Sequence, residues 1–147
     1  LKIASSLLNF VKKDTDYLIG SKPNMGIETP FELNDLTTDK KRYKRTQKLV
    51  RLKPNIRLWG VTNSFAKAVN KRFKIIRKEN WAEEINTNIL IINSLNDRVV
   101  CSKKTIEMTK RLKNSKLVNF DGCEHEVLME GNEHREKFWR EFDKFIN

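Results

Sequence analysis

The chain of 147 residues contains only two histidines, and both fall in one stretch, DGCEHEVLMEGNEHREKFW (121–139). The first, His125, comes just after a short apolar run, KLVNF (116–120), and a glycine turn. An imidazole takes or gives a proton near neutral pH, so a lone histidine at the end of a strand is a candidate general base. Upstream, a second apolar run, NILIINSLND (88–97), ends at Asp97. A carboxylate that accepts a hydrogen bond from an imidazole fixes its tautomer and stabilises the imidazolium that forms on protonation. Such a pair needs a third member, a nucleophile whose proton the free ring nitrogen can remove. The plainer reading makes Asp97 a turn residue and His125 a loop residue, and residue types alone leave both open.

The elements that would position this pair are legible in the pattern. The run at 88–97 is short, continuous, rich in β-branched residues and flanked by polar ones, as in a strand covered on both faces. Ser102 can cap a helix over 103–112, and 116–120 reads as a second strand. After Gly131 a helix is expected over 133–146, with Phe138, Trp139, Phe142 and Phe145 on one stripe. The order strand, helix, strand, helix predicts two parallel strands joined by a right-handed crossover. In open α/β sheets chemistry collects beyond the carboxyl ends of the strands. Asp97 and His125 would leave the same edge of the sheet, within reach of each other.

The earlier part of the chain reads as helical. Ile3, Leu7, Phe10 and Val11 are spaced for a helix, and GSKPNMGIETP (20–30) is a loop. Thr37 or Thr38 is expected to cap a helix over 39–52, with Pro54 beyond its end. Trp59 and Gly60 mark a further turn. SFAKAVNKRFKIIRK (64–78) is an amphipathic helix in which Phe65, Val69, Phe73 and Ile76 share a face and Lys67, Lys71, Lys74 and Lys78 lie largely away from it. The favoured reading turns that apolar stripe to the core; the alternative lays it on a lipid interface.

Composition narrows the classes. The size suits one domain or part of a larger one. Hydrophobic residues make up 38% and charged residues 33%, and no apolar run approaches the length of a membrane-spanning helix. The N-terminal stretch lacks the features of a signal peptide, so a cytoplasmic location is expected, with a peripheral membrane contact as an option. Cys101 and Cys123 form no C-x-x-C pair and are expected as buried thiols. A zinc site from Cys123, His125 and His134 matches no ligand spacing, and neither a metal nor another cofactor is expected. The net charge is +11, and fifteen Lys or Arg with no Asp or Glu lie between Lys40 and Lys78. Such a block attracts polyanions, either anionic lipid headgroups or nucleic acid. Tyr43, Trp59, Phe65 and Phe73 interleave with it, but no nucleic-acid motif is present, and nucleic acid is the less favoured partner.

The phrases ILIINSLNDRVV (89–100) and DGCEHEVLMEGNEHREKFW (121–139) resemble the acid turn and histidine segment of an α/β-hydrolase. The similarity is to the lysophospholipase L2 and monoacylglycerol lipase branch of the serine aminopeptidase-like (S33) hydrolases. Within it, FELNDLTTDKKRYKRTQKLVRLKPNIRLWGVTNSF (31–65), with its LT-x-D-x-x-RY phrase, resembles the cap segment. Glu126, Glu130 and Arg135 also fall where that branch tends to carry such residues. The resemblance implies an α/β fold, here the C-terminal part of an α/β-hydrolase with an incomplete sheet: residues 1–80 as helical cap and 81–147 as core segment. It implies Asp97 as triad acid, His125 as triad base, and a lipid or ester substrate. The chain order of acid before histidine agrees with that fold. The sequence departs from the pattern at the nucleophile. None of its five glycines lies two residues from a serine, so there is no G-x-S-x-G elbow. Smaller departures are Phe65, where the branch often shows Trp, and Glu124, where it often shows a basic residue. The chain is therefore expected to be a fragment, inactive alone, that relies on an N-terminal half for the serine and oxyanion hole. Its first strand would keep an unpaired edge.

Overall fold

The structure is a computed structural model describing residues 14–18, 29–56 and 60–147. The helical spacing over 1–11, the loop over 20–28 and Trp59 lie outside the described residues. Within them the elements run α1 (Lys40–Leu52), α2 (Asn63–Ile76), β1 (Ile89–Ser94), α3 (Ser102–Thr109), β2 (Ser115–Phe120) and α4 (Asn132–Ile146). Single 3-10 turns occur at Phe31–Leu33, Pro54–Ile56 and Val127–Met129.

The β-branched runs form the strands, where such side chains pack well on a pleated surface. β1 and β2 pair in parallel, from Ile89 opposite Ser115 to Ser94 opposite Phe120. Pairing continues past the strand end, where the Leu95 N–H donates to Phe120 O at 2.8 Å. The core gathers beside β2: Val118, Phe120, Cys123 and Val127 are buried, with Leu90, Ile92 and Phe138 packed against them. Ile89 to Ile92 are only half-buried, short of the full cover expected for this run. The sheet of the described residues has two strands, so β1 has no further neighbour to shield it.

The helices end where local chemistry stops them, and two caps differ from the sequence reading. Asp39 caps α1, its carboxylate accepting from the Arg42 N–H at 2.9 Å. Thr37 and Thr38 are drawn instead to the histidine loop, as described below. α3 begins at Ser102 itself, so Cys101 holds the cap position, without a side-chain cap bond, and the Ser102 hydroxyl accepts from Asn93 Nδ2 at 2.9 Å. That helix stops at Thr109, whose hydroxyl donates back to Thr105 O at 2.8 Å. α4 carries Glu133 in its first turn and Lys144 in its last, each favourable to the helix dipole. On its stripe Phe138 reaches the core and stacks with Phe142, with centroids 6.1 Å apart, while Trp139 stays half-exposed.

The largest difference from expectation is α2. Thr62 caps it, but Phe65 and Phe73 on its apolar face are 58% and 47% exposed, so the stripe is not turned to a core of described residues. Described segments meet the helix along its first two turns, where Lys67 also pairs with Asp14, and again at its end. At its start, Asn63 and Ser64 donate backbone bonds to Asp16 O and Asp14 O. At its end, Phe73, Ile76 and Arg77 line a cleft of about 270 Å³ with Met108 and Arg111. α1 is anchored by Tyr43, which is buried, packs edge-on to Phe31 and donates its hydroxyl to Thr29 O at 2.8 Å. No helix of the described residues is long and apolar enough to cross a membrane.

Candidate active site

Asp97 lies three residues beyond β1, and His125 five residues beyond β2. Because the strands are parallel and adjacent, both chains emerge at the same edge. The side chains meet there: His125 Nδ1 stands 2.7 Å from Asp97 Oδ2. The Asp97 side chain is 6% exposed and that of His125 30%.

Asp97 is held by its own turn. Its Oδ1 accepts from the N–H groups of Val99 at 2.7 Å and Val100 at 2.9 Å, which leaves Oδ2 for the imidazole. Burial pushes the carboxyl upward, but the N–H groups of Val100 and Val99 and the imidazole outweigh it and hold the carboxyl below its ordinary range. The group is thus ionised at neutral pH and can only accept, so the ring proton sits on Nδ1. In the neutral ring this makes Nε2, on the side away from the acid, the nitrogen with the lone pair. No described hydroxyl hydrogen-bonds to Nε2.

The histidine loop starts with Gly122, whose φ of +70° lies in the left-handed region that a Cβ disfavours. Its N–H donates to Asn96 Oδ1 at 2.9 Å, tying the loop to the acid turn. Ser94, the last residue of β1, donates its hydroxyl to Cys123 O. Cys123 is buried and its thiol is pushed up to about 12, mainly by burial and then by the nearby Glu130 charge, so it stays protonated. Cys101 is exposed, contrary to the expectation that both thiols are buried.

The brace on the other side of the loop was not anticipated from sequence. Residues 34–38 run along it: His125 N–H donates to Asp35 O at 3.3 Å and Glu126 N–H to Leu36 O at 2.8 Å. The Thr37 hydroxyl donates to Met129 O at 2.8 Å. Asn34 shapes this segment by accepting from the N–H groups of Leu36 and Thr37, an Asx turn whose sequence sign was Asn followed by Asp and two threonines. Arg98, beside the acid, closes the junction. It donates to Asn34 O at 2.8 Å and pairs with Asp35 at 3.2 Å and Glu124 at 3.1 Å. The Glu124 carboxylate next to the histidine is therefore engaged by Arg98. A cleft of about 270 Å³ lies at this junction, lined by Phe31, Asn34, Thr38, Arg98 and Glu124 among others.

Glu130 is fully buried. Its carboxylate accepts from Thr38 N–H, from the Thr38 hydroxyl at 2.6 Å and from Glu124 N–H at 2.8 Å. His134 takes no part in the site; its ring packs edge-on to Phe120. Among the described residues no group of three or more His, Cys, Asp or Glu is placed to hold a metal ion.

The architecture is that of an α/β-hydrolase. Two solved structures share it: a soluble variant of monoglyceride lipase from Saccharomyces cerevisiae, bound to a substrate analogue, and a monoacylglycerol lipase from Paleococcus ferrophilus. The first aligns with a TM-score of 0.62 at 15% identity over 98% of this chain, the second with 0.64 at 13% identity over 97%. The chain spans about half of each, 47% and 50% of their lengths. No curated protein sequence matches. The sequence profile described as serine aminopeptidase, S33, matches residues 3–132, and the chain belongs to that family of hydrolases.

Proposed function

We propose that this chain supplies the acid and the base of a serine ester hydrolase acting on a monoacyl lipid, a monoacylglycerol or lysophospholipid. The serine and the oxyanion-hole N–H groups would come from a segment outside this sequence. The observation that carries the reading is the 2.7 Å contact between Asp97 and His125 at the ends of two adjacent parallel strands. Family membership and two lipase neighbours support the ester-hydrolase class; the absence of any G-x-S-x-G elbow from the sequence supports an external nucleophile.

In this mechanism Nε2 of His125 removes the proton of the incoming serine as it attacks the ester carbonyl. Asp97 holds the ring by Nδ1 and stabilises the imidazolium. His125 then returns the proton to the leaving alcohol. In the second half it activates water against the acyl-enzyme, and the fatty acid leaves. Within residues 1–80, the helical segment from α1 to α2 acts as the cap over the acyl chain. Without its nucleophile a comparable site lost ~10⁶ in kcat in a serine protease, so the chain alone should be inert. Hydrolysis of a monoacylglycerol should appear when the chain is mixed with an N-terminal half carrying the elbow, and vanish with His125→Ala. Robust turnover by the chain alone would refute the reading.

A second reading concerns the basic block. The exposed Phe65 and Phe73, with Lys67, Lys71 and Lys74 on α2 and Lys78 just beyond it, favour contact with an anionic membrane surface. Binding to vesicles containing phosphatidylserine, weakening as salt rises, supports it. Equal retention on DNA, or none on vesicles, contradicts it.

A further inference from the structure

We propose that Glu130 is a positioning residue, setting where the His125 imidazole stands by locking the histidine loop to the Thr38 backbone. The proposal rests on the reading of His125 as the base, but the geometry behind it is independent of any substrate.

Among the described residues Glu130 is the one charged residue that is buried, with no exposure at all. A buried carboxylate is costly unless donors surround it, and here they do. One oxygen accepts from Glu124 N–H at 2.8 Å and Thr38 N–H at 3.1 Å; the other accepts from Thr38 N–H at 3.0 Å and its hydroxyl at 2.6 Å. The bond to Glu124 N–H closes the loop on itself immediately before His125. The bonds to Thr38 fasten that closed loop to the segment whose Asp35 and Leu36 carbonyls receive the N–H groups of His125 and Glu126. His125 is thus held at its main chain from two sides, and the ring is left to reach Asp97. Removing the acceptor leaves the N–H groups of Glu124 and Thr38 without the partner that joins them across this part-buried junction. With that link cut, the loop is free to move away from the Thr38 segment, which carries the imidazole off its acid.

Two substitutions separate positioning from space-filling. Glu130→Met keeps similar bulk and removes both acceptors. Glu130→Gln keeps one oxygen for the two N–H groups, and its amide can donate to the Thr38 hydroxyl, which rotates to accept. The assay is nitrogen-15 NMR of the imidazole rings in the 147-residue chain, with His134 as internal reference. In the unsubstituted chain the His125 ring carries its proton on Nδ1. Glu130→Met should lose that single tautomer, with exchange between Nδ1–H and Nε2–H forms, while His134 is unmoved; Glu130→Gln should retain it. Thr38→Val, which deletes only the hydroxyl, should give a partial loss and serves if the methionine variant does not fold. A folded Glu130→Met or Thr38→Val chain with the His125 signals of the unsubstituted chain would overturn the proposal. These signals need no hydrolysis, so failure of the ester-hydrolase reading and failure of this one are told apart.

Discussion

Asp97→Asn tests the pair at its most specific point. In the folded chain Oδ1 of Asp97 accepts two N–H groups, from Val99 at 2.7 Å and Val100 at 2.9 Å. An asparagine must keep its carbonyl oxygen on that side, since turning the amide would set its NH₂ against two donors. Its NH₂ then faces His125, where Oδ2 stood 2.7 Å from Nδ1. The ring has to present a lone pair on Nδ1 and carry its proton on Nε2. The exchange replaces a charge-assisted hydrogen bond with a neutral one, a loss of roughly 1 kcal/mol, so the fold should survive. The chemistry should not: with the proton on Nε2 the ring cannot act as base, and the same substitution in a serine protease lowers kcat by ~10⁴. Nitrogen-15 NMR of the isolated chain should show the His125 tautomer switched and His134 unchanged. A folded variant in which His125 still carries its proton on Nδ1 would refute the account of how the acid controls the base.

Other outcomes follow from the same structure. Asp97 is held below its ordinary carboxyl range in the fold, despite burial, by the Val100 and Val99 N–H groups and His125. Its contribution to stability is therefore complete above its unfolded value of about 3.9 and lost as pH falls through the lower folded value. Urea denaturation over a series of acidic pH values should show a steeper loss for the unsubstituted chain than for Asp97→Asn. Cys101 is exposed while Cys123 is buried with its thiol pushed up to about 12, so iodoacetamide at mildly alkaline pH should modify Cys101 alone until the chain is unfolded, as read by mass spectrometry. Tyr43→Phe removes the bond from a buried hydroxyl to Thr29 O and should cost about 1 kcal/mol in urea denaturation, with the His125 resonances unchanged.

What could be seen in the sequence was what local pattern encodes. The apolar runs at 88–97 and 116–120 appear as β1 and β2, and the aromatic stripe after Gly131 as α4, because each element's periodicity is written in its own residues. Parallel pairing of two adjacent strands then brings Asp97 and His125 to one edge, and the structure sets them in contact. Features decided by distant partners were not visible. Thr37, Thr38 and Asp39 all have cap chemistry, and the choice of Asp39 depends on Met129 O and Glu130 claiming the two threonines. Ser102 had the right type for a cap, but it is the first residue of α3 and its hydroxyl accepts from Asn93. Nothing local distinguishes Glu130, buried, from its exposed neighbour Glu133. The apolar stripe of α2 shows amphipathicity correctly but not what would cover it, since periodicity carries no record of a partner.

The central claim is that His125 activates a serine borne by another segment. A fluorophosphonate probe, which is attacked only by an activated hydroxyl, tests it most directly. Incubated with an N-terminal half carrying the G-x-S-x-G elbow, the probe should label that half's serine only when this chain is added, and not when His125 is replaced by alanine. Rapid labelling of a residue within this chain alone, or of the complementary serine irrespective of His125, would contradict it.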